Sequence, residues 1–410
     1  MIKKIGLLAL VACLFLAIAA PVRAQEKLAV LDSSAQADFP ARLTFSLSAT
    51  SGVNIVDIRL RYIVEQTGFA EVTSETYIGF TPATRVDVSW SLETLRIGGL
   101  PPGVNIEYWW VVADASGDRV ETPREQVQFT DNRYPWRSLT EGDVTILWYD
   151  GDDFFAGELQ AAAHETLARL LADTGAHLDK PSTIYIYAST ADLQGALVYP
   201  SEWTGGVAYV QFSTIAIGIS PAQLTWGKGA IAHELTHLVT HQMTFNPYGE
   251  PPTWLTEGLA VYAEGLPNPA YSSSLYQAIV KNDLISVRSL SSPFSAYPDE
   301  ATLSYAESYS LVSFLIQEYG QPNMLELLNT FKEGSGYDAA LLKVFGFDMD
   351  GLDAAWQDYV TRLYLPASPT PAVAGEGIHP ALVSILSALA TWLVLILALF
   401  AESWSWRRSR

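Results

Sequence analysis

Residues 233–237, with the sequence His-Glu-Leu-Thr-His, constrain the fold of this chain more than any other stretch. Apolar residues recur around them at close to helical spacing, which predicts a helix with one buried face; they are Ile231, Leu235, Leu238 and Val239. On such a helix His233 and His237 lie about 6 Å apart on one face, so both imidazoles can bind one metal ion. Glu234 then lies beside the open coordination position, where a carboxylate can deprotonate water.

A zinc site of this kind needs a third protein ligand, and Glu257, twenty residues after His237, is the predicted one. The intervening residues 246–252 read Asn-Pro-Tyr-Gly-Glu-Pro-Pro and are dense in turn formers. This composition predicts that the chain leaves the first helix, reverses, and enters a second helix that presents Glu257.

At these positions the chain resembles the gluzincin zinc metallopeptidases, the thermolysin and M1-aminopeptidase superfamily, and most of all bacterial peptidase MA-like domains. The resemblance implies one zinc ion held by His233, His237 and Glu257, with Glu234 as the general base. It implies a peptide or protein substrate and hydrolysis of the peptide bond.

A later helical stretch extends the resemblance. Tyr305 best matches the tyrosine that in M1-type enzymes donates a hydrogen bond to the oxyanion, and Tyr309, one turn later, is the reserve candidate. Both tyrosines also fit the packed face of an amphipathic helix, so a purely structural role stays open.

The sequence departs from the family pattern at two places. Thermolysin has an acidic residue four positions after its ligand glutamate, where this chain has Val261, so the support of a ligand histidine must come from Glu264 or a backbone carbonyl. The Gly-x-Met-x-Asn segment of M1 aminopeptidases is also missing. Residues 203–217 in that region instead predict a strand that pairs with an extended peptide, which favours an endopeptidase over an aminopeptidase.

Two other histidines are excluded from the predicted site. His241 lies about 12 Å along the helix axis from His233, too far to share one ion with it. His164 precedes a glutamate but lacks a second histidine four residues on, so it is predicted to belong to an ordinary helix over residues 154–173.

The two ends of the chain predict export and a membrane anchor. Residues 1–24 have the pattern of a secretory signal peptide, although Cys13 also fits a lipoprotein processing site. Residues 381–401 are uncharged and long enough to cross a bilayer, and the tail 402–410 carries three arginines. We therefore expect a single-pass protein of the cell membrane, with its catalytic part extracytoplasmic and its tail cytoplasmic.

Between these ends the sequence predicts an α+β ectodomain. Residues 25–133 show short strand-like runs and resemble an immunoglobulin- or fibronectin-III-like β-sandwich; residues 134–365 are predicted to form the gluzincin domain, with a mixed sheet and a helical C-terminal half. A proline-rich linker, 366–380, follows.

The net charge of −20 disfavours nucleic acid as a partner. The alternative to an enzyme is an inactive surface module that keeps the peptidase fold and binds a partner, but such a module has no need of Glu234.

Overall fold

The computed structural model describes residues 27–68, 70–198, 205–265, 268–295 and 297–365. The predicted signal peptide, linker and transmembrane segment therefore lie outside the described residues. Within the described part of the chain, no helix is both long enough and apolar enough to cross a membrane.

Seven strands form an N-terminal sheet: β1 (Ala29–Asp38), β2 (Arg42–Val64), β3 (Ser74–Tyr77), β4 (Ala83–Glu93), β5 (Val104–Asp114), β6 (Arg119–Glu121) and β7 (Glu125–Phe129). The long β2 pairs with β1 and β4 along its first half and with β3 and β5 along its second half. Alternate residues of β2 and β5 point into one core that contains Phe45, Leu60 and Trp110. The strands predicted here are confirmed, whereas the immunoglobulin-like arrangement stays a prediction.

A second sheet of five strands follows: β8 (Arg137–Glu141), β9 (Val144–Trp148), β10 (Ser182–Tyr187), β11 (Gly206–Tyr209) and β12 (Thr214–Gly218). The spatial order is β11-β12-β10-β9-β8, with β9, β10 and β12 parallel and the two outer strands antiparallel to their neighbours. The mixed sheet predicted within residues 134–365 is confirmed. Strand β11 is left at one edge of the sheet.

The prediction of one strand over residues 203–217 is wrong. The chain turns through a short 3₁₀ segment at Val210–Phe212, and Ser213 has φ of 48°, in the left-handed region. This reversal folds β12 back against β11, so that Gly206 lies opposite Ile217. A residue at positive φ ends an extended strand, which is why a single strand does not form.

The helices are α1 (Asp153–Thr174), α2 (Thr190–Gln194), α3 (Leu224–Thr244), α4 (Thr253–Ala263), α5 (Pro269–Lys281), α6 (Pro298–Lys332), α7 (Tyr337–Phe345) and α8 (Met349–Tyr364). Helix α1 agrees with the prediction over 154–173. The apolar face predicted around the histidines is buried in α3, where Ile231, Leu235 and Leu238 join a core shared with α1 and the second sheet. Helix α6 is kinked at Gly320, whose φ of 76° only glycine adopts without strain.

Candidate active site

Helices α3 and α4 bring three predicted ligands to one point. The Nε2 atoms of His233 and His237 lie 3.5 and 3.7 Å from Oε2 of Glu257. One ligand atom from each residue lies within 4.8 Å of the other two. All three side chains are about one-fifth exposed, so the site opens to solvent on one side.

These residues fit a zinc ion. Ligand atoms arranged tetrahedrally around zinc at about 2.0–2.2 Å lie roughly 3.3–3.6 Å from one another, close to the distances between the two imidazoles and Glu257. Among the described residues, none donates a hydrogen bond to Oε2 of Glu257, although that atom is buried. A buried carboxylate oxygen without a donor is costly unless a cation binds it, so the donor set matches the metal that the sequence predicts.

Glu264 holds one ligand histidine in position. Its Oε1 lies 2.8 Å from Nδ1 of His233, so the other ring nitrogen, Nε2, faces Glu257. Val261, at the position where thermolysin has its acidic residue, is buried in the core instead. The carboxylate therefore comes from one turn farther along the chain, at the end of α4, and orients the imidazole as outer partners of metal sites do.

The charges around the two histidines push their pKa values apart. Burial opposes protonation of His233, but the carboxylates of Glu257 and Glu264 outweigh it and raise the pKa to about 10. Burial lowers the pKa of His237 to about 4. Burial also raises the pKa of Glu257, yet the facing imidazoles hold it below its ordinary value. The cluster thus already favours positive charge at the centre of its carboxylates.

The side chain of Glu234 extends from α3 toward the edge strand β11. Burial raises the pKa of its carboxyl to about 7, and the backbone N–H of Ala208 opposes this shift. Gly206 allows the close approach, because a Cβ atom there would lie 2.9 Å from Oε1 of Glu234. A carboxyl with a pKa near 7 can both accept and release a proton at neutral pH.

Of the two candidate tyrosines, only Tyr305 lies at the cluster. Its ring centroid is 6.4 Å from that of His233, and it lines the same cleft as Glu234. Tyr309 instead stacks on Tyr262, at 6.3 Å. The structure therefore separates two residues that one helical pattern left equivalent.

The excluded histidines lie away from the cluster of ligand atoms. His241 packs against Phe245, with ring centroids 5.3 Å apart. The Nε2 atom of His164 on α1 lies 3.2 Å from the carbonyl oxygen of Glu141. The ligand set found among the described residues is that of His233, His237 and Glu257 alone.

Sequence reasoning missed several residues of the cleft, which has a volume of about 790 Å³. Tyr271 on α5 stacks on Tyr305 at 6.4 Å, and Trp226 lies exposed at the start of α3. Arg169 on α1 reaches across and donates a hydrogen bond to the carbonyl of Ala263. These residues come from distant helices with no motif to connect them, so no local signal could have found them.

The family model of the Peptidase MA superfamily matches residues 162–362 of this chain. The matched part contains His233, Glu234, His237, Glu257 and Tyr305. The match supports a gluzincin-type peptidase fold for these residues. A comparison with curated proteins found no match.

Solved structures show low similarity. OgpA from Akkermansia muciniphila is 9% identical over 26% of this chain and 28% of that chain, with a TM-score of 0.20. Legionella pneumophila aminopeptidase A, solved in complex with aspartic acid, is 10% identical over 80% of this chain and 50% of that chain, with a TM-score of 0.33. This chain spans half or less of the length of either protein.

Proposed function

We propose that the protein is a zinc-dependent metallopeptidase that cleaves internal peptide bonds of extended polypeptides. The observation that carries the proposal is the orphaned Oε2 of Glu257 between His233 and His237, with the carboxyl of Glu234 in the same cleft. An inactive binding module has no need of the carboxyl of Glu234 beside this cluster.

Zinc bound by the two histidines and Glu257 would supply a Lewis acid that polarises the scissile carbonyl and acidifies water. Glu234 accepts a proton from the water molecule that attacks the carbonyl carbon, and then delivers it to the nitrogen of the leaving amine. Glu264 keeps the ring of His233 oriented throughout. The phenol of Tyr305 donates a hydrogen bond to the oxygen that gains negative charge.

The edge strand β11 positions the peptide. The N–H of Ala208 faces Glu234, and in an antiparallel pair the N–H and C=O of one residue point to the same side. The backbone groups of Gly206 and the carbonyl of Ala208 therefore lie at the free edge, where an extended peptide can add as a strand. The missing Gly-x-Met-x-Asn segment of M1 aminopeptidases favours an endopeptidase.

The location of the protein is part of the proposal. Residues 1–24 direct export and residues 381–401 anchor the chain, with the catalytic part extracytoplasmic. Protease protection of one epitope tag inserted after residue 24 and another at the C-terminus tests this topology. Digestion of a C-terminal tag in intact cells would contradict it.

The fold of residues 29–129 is proposed to be an immunoglobulin- or fibronectin-III-like sandwich. The support is that β2 pairs with β1 and β4 over its first half and with β3 and β5 over its second half, as expected when one long strand contributes to two facing sheets.

The decisive experiment measures zinc content and casein cleavage by the full-length protein purified in detergent, beside Glu234→Gln. We expect about one zinc per chain in both, and a loss of roughly 10²–10⁴-fold in cleavage rate in the variant, because general acid–base catalysis contributes that much. Glu318→Gln, which alters an exposed glutamate of α6, is the matched control and should cleave like the wild type.

Each result decides between the two classes of function. If the wild-type protein binds zinc but cleaves casein no faster than Glu234→Gln does, the peptidase proposal fails and the binding module remains. If the protein binds no zinc even at excess metal, the ligand assignment fails.

A further inference from the structure

A groove leads from the catalytic cleft onto the N-terminal region. We call it the distal groove; it has a volume of about 480 Å³, and its walls include Val64, Val72, Ile97 and Leu100 of the N-terminal region and Tyr209 and Val210 of the second-sheet region. Ala208 and Val210 line both this groove and the cavity that contains Glu234 and His237. From Gly206, which contacts Glu234, to Val210 the chain extends roughly 13 Å at strand spacing.

The wall from the N-terminal region is fixed to the turn after β11. The backbone N–H of Thr67 donates to the carbonyl of Gln211 at 2.6 Å, and the hydroxyl of Ser213 donates to that of Thr67 at 3.2 Å. Phe212 packs against the core of the seven-stranded sheet. Because the Gln211 carbonyl already accepts from Thr67, main-chain pairing with a bound peptide ends near Tyr209. Peptide residues beyond Tyr209 can contact only side chains of the groove.

The distal groove is uncharged, with both polar and apolar side chains in its lining and apolar side chains at its rim. Val72 is 70% exposed and Ile97 is 47% exposed at its rim, while Leu92 and Leu100 are buried at its base. None of the described residues that line it is charged, although the chain carries a net charge of −20. Apolar side chains exposed together beside a cleft, on so acidic a chain, are typical of a binding surface.

We propose that the distal groove binds the substrate polypeptide itself, at an uncharged, apolar segment about four or more residues from the scissile bond. The continuity of β11 with both the cleft and the groove carries this assignment, since a peptide paired with Gly206–Tyr209 and extended further runs into the groove. The inference rests on the proposed peptidase function. It makes the N-terminal region part of the substrate site and predicts a preference for long, unfolded substrates.

The test compares substrates of different length. Cleavage sites in β-casein are mapped by mass spectrometry, and peptides of about 6 and about 16 residues spanning one site are synthesised, with the long peptide extended by apolar residues on either side. We expect kcat/KM of the wild type to be about tenfold higher for the long peptide, as one well-buried apolar contact contributes that much. Val72→Asp/Ile97→Asp should reduce this ratio to about one and leave the short peptide unaffected.

Leu31→Asp is the matched control, since Leu31 is 51% exposed on β1 and outside the groove, and it should keep the wild-type ratio. An equal loss for both peptides, or an unchanged ratio in the double variant, overturns the proposal. If the groove instead holds a second copy of the chain, the double variant dissociates a dimer in sedimentation and leaves the ratio unchanged, which also overturns it.

A second measurement separates this inference from the peptidase proposal. In the Glu234→Gln background, the long peptide should bind at least about tenfold more weakly when Val72→Asp/Ile97→Asp is added. This binding difference supports the groove even if the wild type cleaves no peptide. No difference, together with normal cleavage by the wild type, overturns the groove alone.

Discussion

Two buried carboxyl groups, Asp114 in the sheet of residues 29–129 and Glu307 in the helical region after residue 153, have pKa values that shift in opposite directions. Asp114 at the end of β5 accepts hydrogen bonds from Ser51, from Ser116 and from the N–H of Asp118, and its pKa is lowered, chiefly by the Ser116 and Ser51 hydroxyls. Glu307 on α6 is fully buried and, among the described residues, accepts a hydrogen bond only from the N–H of Ile285; burial raises its pKa to about 8.

This difference separates carboxyl groups that hold a fold from those available for chemistry. In the sheet, donors satisfy the charge and fasten a turn between strands. In the helical region, Oε2 of Glu257 has no donor among the described residues, and burial outweighs the N–H of Ala208 at Glu234, which is typical of groups that bind a cation or transfer a proton. The predictions below test whether the two kinds of carboxyl respond differently to substitution.

The largest effect is expected at a ligand. Glu257→Ala should weaken zinc binding by more than the roughly hundredfold that the loss of an outer partner costs, because one of three protein ligands disappears. Competition with a chelator measures the affinity. Unchanged affinity would show that Glu257 is not a ligand and that its missing donor has another cause.

Tyr305→Phe should lower kcat for casein by roughly 10²–10³-fold with zinc retained, since one donor to the oxyanion is lost. Tyr309→Phe is the matched control, because Tyr309 stacks on Tyr262 away from the ligands, and it should change kcat little. Equal losses in the two variants would mean that both tyrosines act through packing.

Stability should depend on pH through Glu307. Its folded pKa of about 8 exceeds the ordinary value of 4.5, so the folded state keeps a proton that the unfolded state loses. The free energy of unfolding should therefore fall as pH rises from 4.5 to 8, by roughly 2–5 kcal/mol, and level off above. Denaturation of the metal-free protein should show this slope in the wild type and a flatter one in Glu307→Gln. Equal slopes of unfolding free energy against pH in the two proteins would show that Glu307 does not cause the pH dependence.

Glu264→Gln should weaken zinc binding by about tenfold to a hundredfold, less than Glu257→Ala, because an outer partner orients a ligand without touching the metal. The variant keeps an acceptor oxygen for Nδ1 of His233, so the affinity should lie between those of the wild type and Glu264→Ala. A wild-type affinity in Glu264→Ala would assign the support of His233 to another group.

The smallest effect is expected in the sheet. Asp114→Asn should lower the midpoint of thermal unfolding by about 2–4 °C, because the amide retains one acceptor for the turn. Zinc affinity and cleavage rate should stay at wild-type values. A change in zinc affinity or cleavage rate would show that Asp114 also contributes to the candidate active site.

Much of the site follows from local pattern. The helical period around His233 and His237 predicts both the buried face of α3 and the shared face of the imidazoles, and the turn formers at 246–252 predict the reversal that brings in Glu257. Alternation predicts β5 and runs within β2 and β4 of the first sheet, but not its other four strands. Such features depend on residues a few positions apart, which a single sequence displays directly.

Other features depend on contacts between distant segments. The positive φ of Ser213 divides a predicted strand in two and leaves β11 at the free edge. Packing of α5 and α6 brings Tyr305 rather than Tyr309 to the ligands, and the bond from Thr67 to Gln211 sets the N-terminal region against the cleft. By itself the sequence determined the cluster of His233, His237 and Glu257 and the helices that carry it, because helical spacing is local. The tertiary structure alone decided which carboxylate orients His233 and which residues line the cleft, because those choices are made by burial and packing across the whole fold.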